Sequence, residues 1–207
     1  MLLNAIRGHL GEFGIIAAQG PARVMHLIAE LHADGADGLP DAARSAVLCL
    51  ARQLEALTEQ IRVLDRRLLA WHRHDLASQR LASIPGVGML TATALSASVP
   101  DPSVFRSGRQ FAAFLGLEPR QNSSGGKERL GRISKMGDRY LRKLLVVGAT
   151  SVLRRAGSNP SLTGAWVRSL LERKPARVTT VAIANKTARI AWAILARGEV
   201  YRTATPT

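Results

Sequence analysis

The sequence predicts an all-α protein, a coiled-coil helical arm followed by a compact helical domain with a helix-hairpin-helix element, on three observations. Hydrophobic residues make up 46% of the 207 but aromatic ones only 4%, a composition suited to aliphatic helix packing rather than a sheet-rich fold. Apolar residues recur at helical spacing from Val47 through Leu50, Leu54, Leu57, Ile61, Leu64 and Leu68, at intervals of 3, 4, 3, 4, 3 and 4. Helix start and stop signals recur downstream, with Ser107 placed as a cap and Gly198 as a terminator.

Taken in order, a first helix runs from about Pro21 to His32, with Val24, Leu27, Ile28 and Leu31 on one stripe. The stretch from Asp34 to Pro40 is a turn-rich connector, and Asp41 reads as the N-cap of the long helix that follows. The heptad seam, interspersed with Arg52, Glu55, Glu59, Arg62, Asp65 and Arg66, suits a coiled coil: a hairpin within the chain or a strut between two copies. An amphipathic helix packed on its own domain would show the same pattern.

Between Leu81 and Val99, Ile84-Pro85-Gly86-Val87-Gly88 separates two helical stretches in the manner of a helix-hairpin-helix. Gly86 and Gly88 let backbone approach a phosphate, and the amides opening the next helix point at it with the favourable end of the dipole. Such a contact positions DNA without reading bases, whereas the plainer alternative is a Pro-Gly turn between packed helices. Phe105, Phe111, Phe114 and Leu115 form a core anchor, and Gly116 to Pro119 closes their helix. Further helices are expected near 138, 161 and 178, with Pro160 in a first turn and Lys174-Pro175 as a break.

Charge placement narrows the function. Residues 1–100 hold nine basic and nine acidic side chains and residues 101–207 hold twenty and six, so the whole net charge of +14 falls in the second half. A one-sided field of this kind attracts a polyanion, and counterion release from nucleic-acid phosphates supplies affinity. A ribosomal RNA-binding protein fits less well, because there is no unstructured basic tail. No apolar run approaches the roughly 18 residues that span a bilayer, and the opening residues hold no signal-peptide core. Cys49 is alone, which excludes an intramolecular disulfide and favours a cytoplasmic protein, nucleoid-associated if the polyanion is DNA. The five histidines lack partners at ligand spacing, so no metal or cofactor is expected in this chain.

Residues 119–143 carry the chemistry. Arg120, Lys127, Arg129, Arg132, Lys135, Arg139, Arg142 and Lys143 stand against only Glu128 and Asp138 in a polar, glycine-punctuated loop leading into an apolar helix. Guanidinium forks hold nonbridging phosphate oxygens in pairs, and the same cations stabilise charge that builds on a phosphorus under attack. A nucleophile here is a hydroxyl, with Ser123 and Ser124 beside Gly125-Gly126 as candidates, although a Ser-Ser-Gly-Gly stretch by itself is more often a turn than an active site. Ser134 is better placed to order the loop, and Tyr140 is a further hydroxyl.

The ordered set Ile84-Pro-Gly-Val-Gly88, Phe105, Gly116-Leu-Glu-Pro-Arg120, Ser124-Gly125, Gly131-Arg-Ile-Ser-Lys-Met-Gly-Asp138 and Leu141-Arg142 resembles the C-terminal domain of the insertion-sequence 110 (116, 902, 1111) transposase family. The stretch from Lys174 to Leu195 looks like the tail of the 1111 group, and Leu3 to Ile15 is similar to the segment after the family's catalytic N-terminal domain. The resemblance implies a recombinase in which an RNase H-like acidic domain, binding Mg2+, cooperates with a serine nucleophile, while a bridge RNA pairs with donor and target double-stranded DNA. The nucleophile then maps to Ser124, with Ser123 as the one-residue alternative, and Arg120, Lys127, Arg129, Arg132, Lys135, Arg139 and Arg142 become phosphate contacts.

On this resemblance residues 1–40 are a linker remnant after a missing catalytic domain, 41–77 a coiled-coil arm that joins copies, and 78–202 the helical DNA-binding domain. Glu12, Glu30, Asp34, Asp37 and Asp41 are too scattered to replace an acidic quartet, so a truncated or mis-started frame, inactive alone, is expected. The alternative is a non-catalytic helix-hairpin-helix DNA-binding remnant or regulator.

Overall fold

The computed structural model describes residues 2–33, 39–122, 130–158 and 162–202. Among them the protein is all-α apart from one two-stranded hairpin, and the chain divides into two compact units, Met1–Arg67 and Leu68–Thr207.

The first unit contains α1 (Leu2–Glu12), α2 (Pro21–Ala33) and the greater part of α3 (Asp41–His74). Each helix gives the core residues four apart on one face: Ile6 and Leu10, Val24 and Ile28, Val47 and Ala51, closed by Ala17 and Leu39. The heptad seam therefore divides. Its upper residues Leu50 and Leu54 pack against this core, while Leu57, Ile61 and Leu64 are 47%, 57% and 56% exposed. Asp41 is the first helical residue rather than the cap, because the Pro40 carbonyl already accepts the first helical bond, from the Arg44 amide at 2.9 Å.

The second unit holds α4 (Leu76–Ala82), α5 (Met89–Ser98), a 3-10 turn (Pro102–Val104), α6 (Gly108–Phe114), strands β1 (Pro119–Gln121) and β2 (Leu130–Ile133), then α7 (Arg139–Arg155), α8 (Leu162–Arg173) and α9 (Ala176–Arg197). Helix α9 is central, touching α4, α6, α7, α8 and the 3-10 turn. Thr179, Thr180, Ala184, Thr187, Ala188 and Ala191 are buried along it, and such small side chains let surrounding helices approach closely. Around it lie Leu81, Leu95, Phe111, Leu115, Leu141 and Leu145. Phe105 meets Phe111 edge-on at 5.1 Å, and the Trp192 indole N–H donates to the Pro102 carbonyl at 3.1 Å.

Several expected punctuation marks hold. Ser107 caps α6 by accepting from the Gln110 amide, and Gly198 ends α9 in the left-handed conformation, φ 68°. The break at Lys174-Pro175 separates α8 from α9, whereas Pro160 lies outside the described residues. Residues expected as one long loop instead form the β1–β2 hairpin. Pro119 pairs with Ile133 and Gln121 with Leu130, with a register shift between them.

Candidate nucleic-acid interface

The hairpin is seated on helices by its base. Asn185, on α9, donates through Nδ2 to the Leu117 carbonyl at 3.3 Å and to Glu118 Oε1 at 3.2 Å, just ahead of β1. After β2 the chain folds back over the same turn: the Ser134 amide donates to the Glu118 carbonyl at 2.9 Å and the Lys135 amide to the Gly116 carbonyl at 3.1 Å. Lys135 has φ 57°, a conformation that side-chain-bearing residues adopt rarely, and the crossing bonds hold it there. A Cβ at Gly137 would clash with the Phe114 carbonyl oxygen, so two backbone segments meet where only glycine fits.

Helix α7 begins at this junction. Asp138 caps it by accepting from the Leu141 amide at 2.8 Å, and Leu141 is buried beneath. Its first turn holds no acidic residue but carries Arg139 and Arg142, with Lys143 just after, cations placed at the already positive end of the helix dipole. That costs local stability and makes this end of the helix electropositive. Arg142 is half-buried and donates Nη1 to the Leu115 and Met136 carbonyls at 2.9 and 3.3 Å, so part of its guanidinium clasps the junction.

Around this base Arg120, Arg132, Lys135, Arg139 and Lys143 are exposed. Arg120 and Arg132 stand one residue in from the Pro119–Ile133 pair on the two strands, and Arg120 Nη2 reaches the Ser134 carbonyl at 3.4 Å. Among the described residues none of these five cations has a carboxylate partner within 4.0 Å; the ion pairs seen lie on α2 and α3. Four described carboxylates of the second unit are engaged by other groups. Asp75 accepts from the Ala77 amide and the Ser96 hydroxyl, Asp138 caps α7 and Glu118 receives Asn185. Asp101 is held below the usual aspartate range by hydrogen bonds from the Ser103 hydroxyl and amide.

Ser123, Ser124, Lys127 and Arg129 lie outside the described residues; they belong to the connection between β1 and β2. Gly86 and Gly88 behave differently from each other. Gly86, φ 83°, turns toward α7, where a Cβ would stand 2.7 Å from the Gly148 carbonyl oxygen, and a Cβ on Gly148 would collide with Gly86 in return. Packing alone thus requires glycine at 86. Gly88 is exposed, has open space around it and caps α5 without a side-chain bond.

An open cavity of about 540 Å³, lined by Trp71, His74, Asp75, Ser96, Pro100 and Leu195 among others, shares no residue with the hairpin. Among the described residues no three His, Cys, Asp or Glu stand together to hold a metal ion, and no helix is long and apolar enough to cross a membrane. Asn185 is the seating residue that the charge pattern concealed. Its signal in the sequence is an amide within an otherwise small and apolar run, Val181 to Ala184 before it, and that signal says nothing of its partner.

Residues 78–163 match the family described as Transposase IS116/IS110/IS902. The chain is 46% identical over 204 residues to the Sinorhizobium fredii protein y4pF/y4sB, covering 98% of this chain and 52% of that protein. It is 41% identical over 201 residues to the transposase for insertion sequence element IS1111A of Coxiella burnetii, covering 97% and 55%. Against the transposase for IS1328 of Yersinia enterocolitica the identity is 37% over 200 residues, covering 96% and 58%. The chain spans a little over half the length of these relatives.

Proposed function

This chain belongs to the IS116/IS110/IS902 transposase family, and from that premise we propose that its Leu68–Thr207 unit grips DNA by its phosphates and brings a serine, Ser124, to the scissile phosphorus during transposition of an insertion sequence. The observation that carries this reading is a hairpin rigidly seated at its base, ringed by exposed cations without carboxylate partners among the described residues, whose strand connection contains Ser123-Ser124-Gly125-Gly126.

In the proposed reaction the Ser124 oxygen attacks phosphorus, an Oγ–P bond forms as the opposite P–O bond breaks, and the departing strand leaves as a hydroxyl. The serine proton passes to a base, the leaving oxygen takes up a proton from that base or from water, and Arg120, Lys127, Arg129, Arg132, Lys135 and Arg139 neutralise charge building on the nonbridging oxygens. The open N-terminus of α5 at Gly88 adds a backbone phosphate contact of the helix-hairpin-helix kind. By the family resemblance an acidic, Mg2+-binding domain and a bridge RNA act with this unit. The exposed Leu57, Ile61 and Leu64 of α3 then pair with a second copy as a coiled coil.

The test is a covalent adduct. The chain is incubated with element-junction DNA, with the acidic domain and guide RNA supplied, and denatured protein–DNA conjugate is measured. Conjugate is expected from the native chain and from Ser123→Ala, and none from Ser124→Ala. Conjugate that survives both Ser124→Ala and Ser123→Ala overturns the assignment.

A further inference from the structure

The segment Lys135 to Lys143 carries more than charge. Met136 is 68% exposed and Tyr140 53% exposed, and they alternate with exposed Lys135, Arg139 and Lys143. Isolated exposed apolar side chains are ordinary on any protein. These two differ in being mounted on backbone fixed from several directions. The Met136 carbonyl accepts from Arg142, the Lys135 amide is bound to Gly116, a Cβ at Gly116 would clash with Met136 backbone, and Leu141 anchors the next residue in the core. The Tyr140 side chain makes no hydrogen bond or ring contact among the described residues. By contrast Trp166 lies under the Lys186 ammonium at 4.1 Å and Trp192 is bonded to Pro102.

An exposed ring on anchored backbone, flanked in sequence by cations and with no side-chain partner among the described residues, has the surroundings of a base-stacking platform. The cations take the phosphates on either side of a nucleotide, and the ring takes the face of its base. Paired bases within a duplex already cover one another's faces, so the ring can engage only where a step has opened. An unbranched side chain such as Met136 can fill the gap as a wedge. We propose that Tyr140, with Met136 four residues before it, binds an unpaired nucleobase of a DNA strand, so that this unit prefers DNA containing an opened step to intact duplex. The proposal rests on the DNA-binding reading and adds to it a class of ligand: a base, rather than a phosphate.

The experiment uses the full chain and two duplexes of one sequence, one fully paired and one with 2-aminopurine in an unpaired step. Affinity is titrated across salt concentrations and the emission of the 2-aminopurine is followed. The native chain is expected to quench the probe and to bind the opened duplex about tenfold more tightly. Tyr140→Ala is expected to remove that preference and the quenching while leaving the salt slope unchanged, and Tyr140→Phe to retain both. Lys143→Ala should weaken binding to both duplexes equally and lower the slope by about one. Thermal midpoints of the variants establish that each is folded, as expected for exposed positions.

A Tyr140→Ala variant that keeps the preference, or loses affinity for both duplexes by the same factor, overturns the proposal. Tighter binding to single-stranded RNA of the same sequence than to the opened DNA overturns it as well. If the native chain binds both duplexes with a steep salt dependence and no preference, the base platform falls and the phosphate seat stands. If neither duplex binds with salt-dependent affinity, the phosphate seat falls too.

Discussion

Gly86, Gly88 and Gly148 look alike in the sequence, yet Gly86 and Gly148 pack against each other while Gly88 faces open space. A Cβ on Gly148 would sit against the Gly86 carbonyl oxygen, and α7 cannot move away without disturbing Leu145 and Ala149, which are buried on either side of it in the helix. Gly148→Ala gains about 1 kcal/mol of helix propensity but forces overpacking of about 1–3 kcal/mol, and the clash is with backbone rather than a pliable side chain. The net expectation is a lower urea midpoint. Gly88 has open space, so Gly88→Ala is expected to cost under about 1 kcal/mol in the same measurement yet to weaken DNA binding, because the added methyl keeps a phosphate from the α5 amides. A DNA affinity unchanged in Gly88→Ala would remove that residue from the interface. Sequence reasoning grouped Gly86 with Gly88, since a Pro-Gly-x-Gly turn carries no record of which glycine faces a distant helix.

At the level of elements, Ser107 and Gly198 were legible because each acts within one turn of itself, whereas Asp41 was misplaced by one residue as a cap. The hairpin was not legible. Its strands are three and four residues long, too short for alternation to declare itself, and their Pro, Arg, Gln and Gly content reads as loop. What makes them strands is tertiary: the Gly116 turn, the crossing bonds from Ser134 and Lys135, and Asn185 beneath. Likewise the heptad seam was visible, but its division into a buried upper part and an exposed lower part depends on α1 and α2. Asn185→Ala is expected to cost about 1–2 kcal/mol, since it strips two partly buried acceptors of their donor. It should also weaken DNA binding by loosening the hairpin. Chemical denaturation and DNA titration of that one variant check both, and a stability loss with full DNA affinity would make the seat irrelevant to the interface.

For the whole molecule, the charge in the second half is visible in the sequence, but which of its cations stand at the hairpin is not. Arg173, Lys174 and Arg177 are exposed at the α8–α9 corner, while Arg168 is partly committed to the Ala156 carbonyl at 2.8 Å. On the proposed DNA-binding reading, phosphates meet the hairpin and the start of α7 rather than the net charge in general. The most direct test compares two triple variants that remove equal charge: Arg132, Lys135 and Arg139 to Gln, and Arg173, Lys174 and Arg177 to Gln, with the log–log salt dependence of duplex binding measured for each. Each phosphate contact contributes about 0.9 to that slope, so the first variant is expected to lose about two to three units and the second less than one. Equal losses, or a larger loss at the α8–α9 corner, would contradict the account.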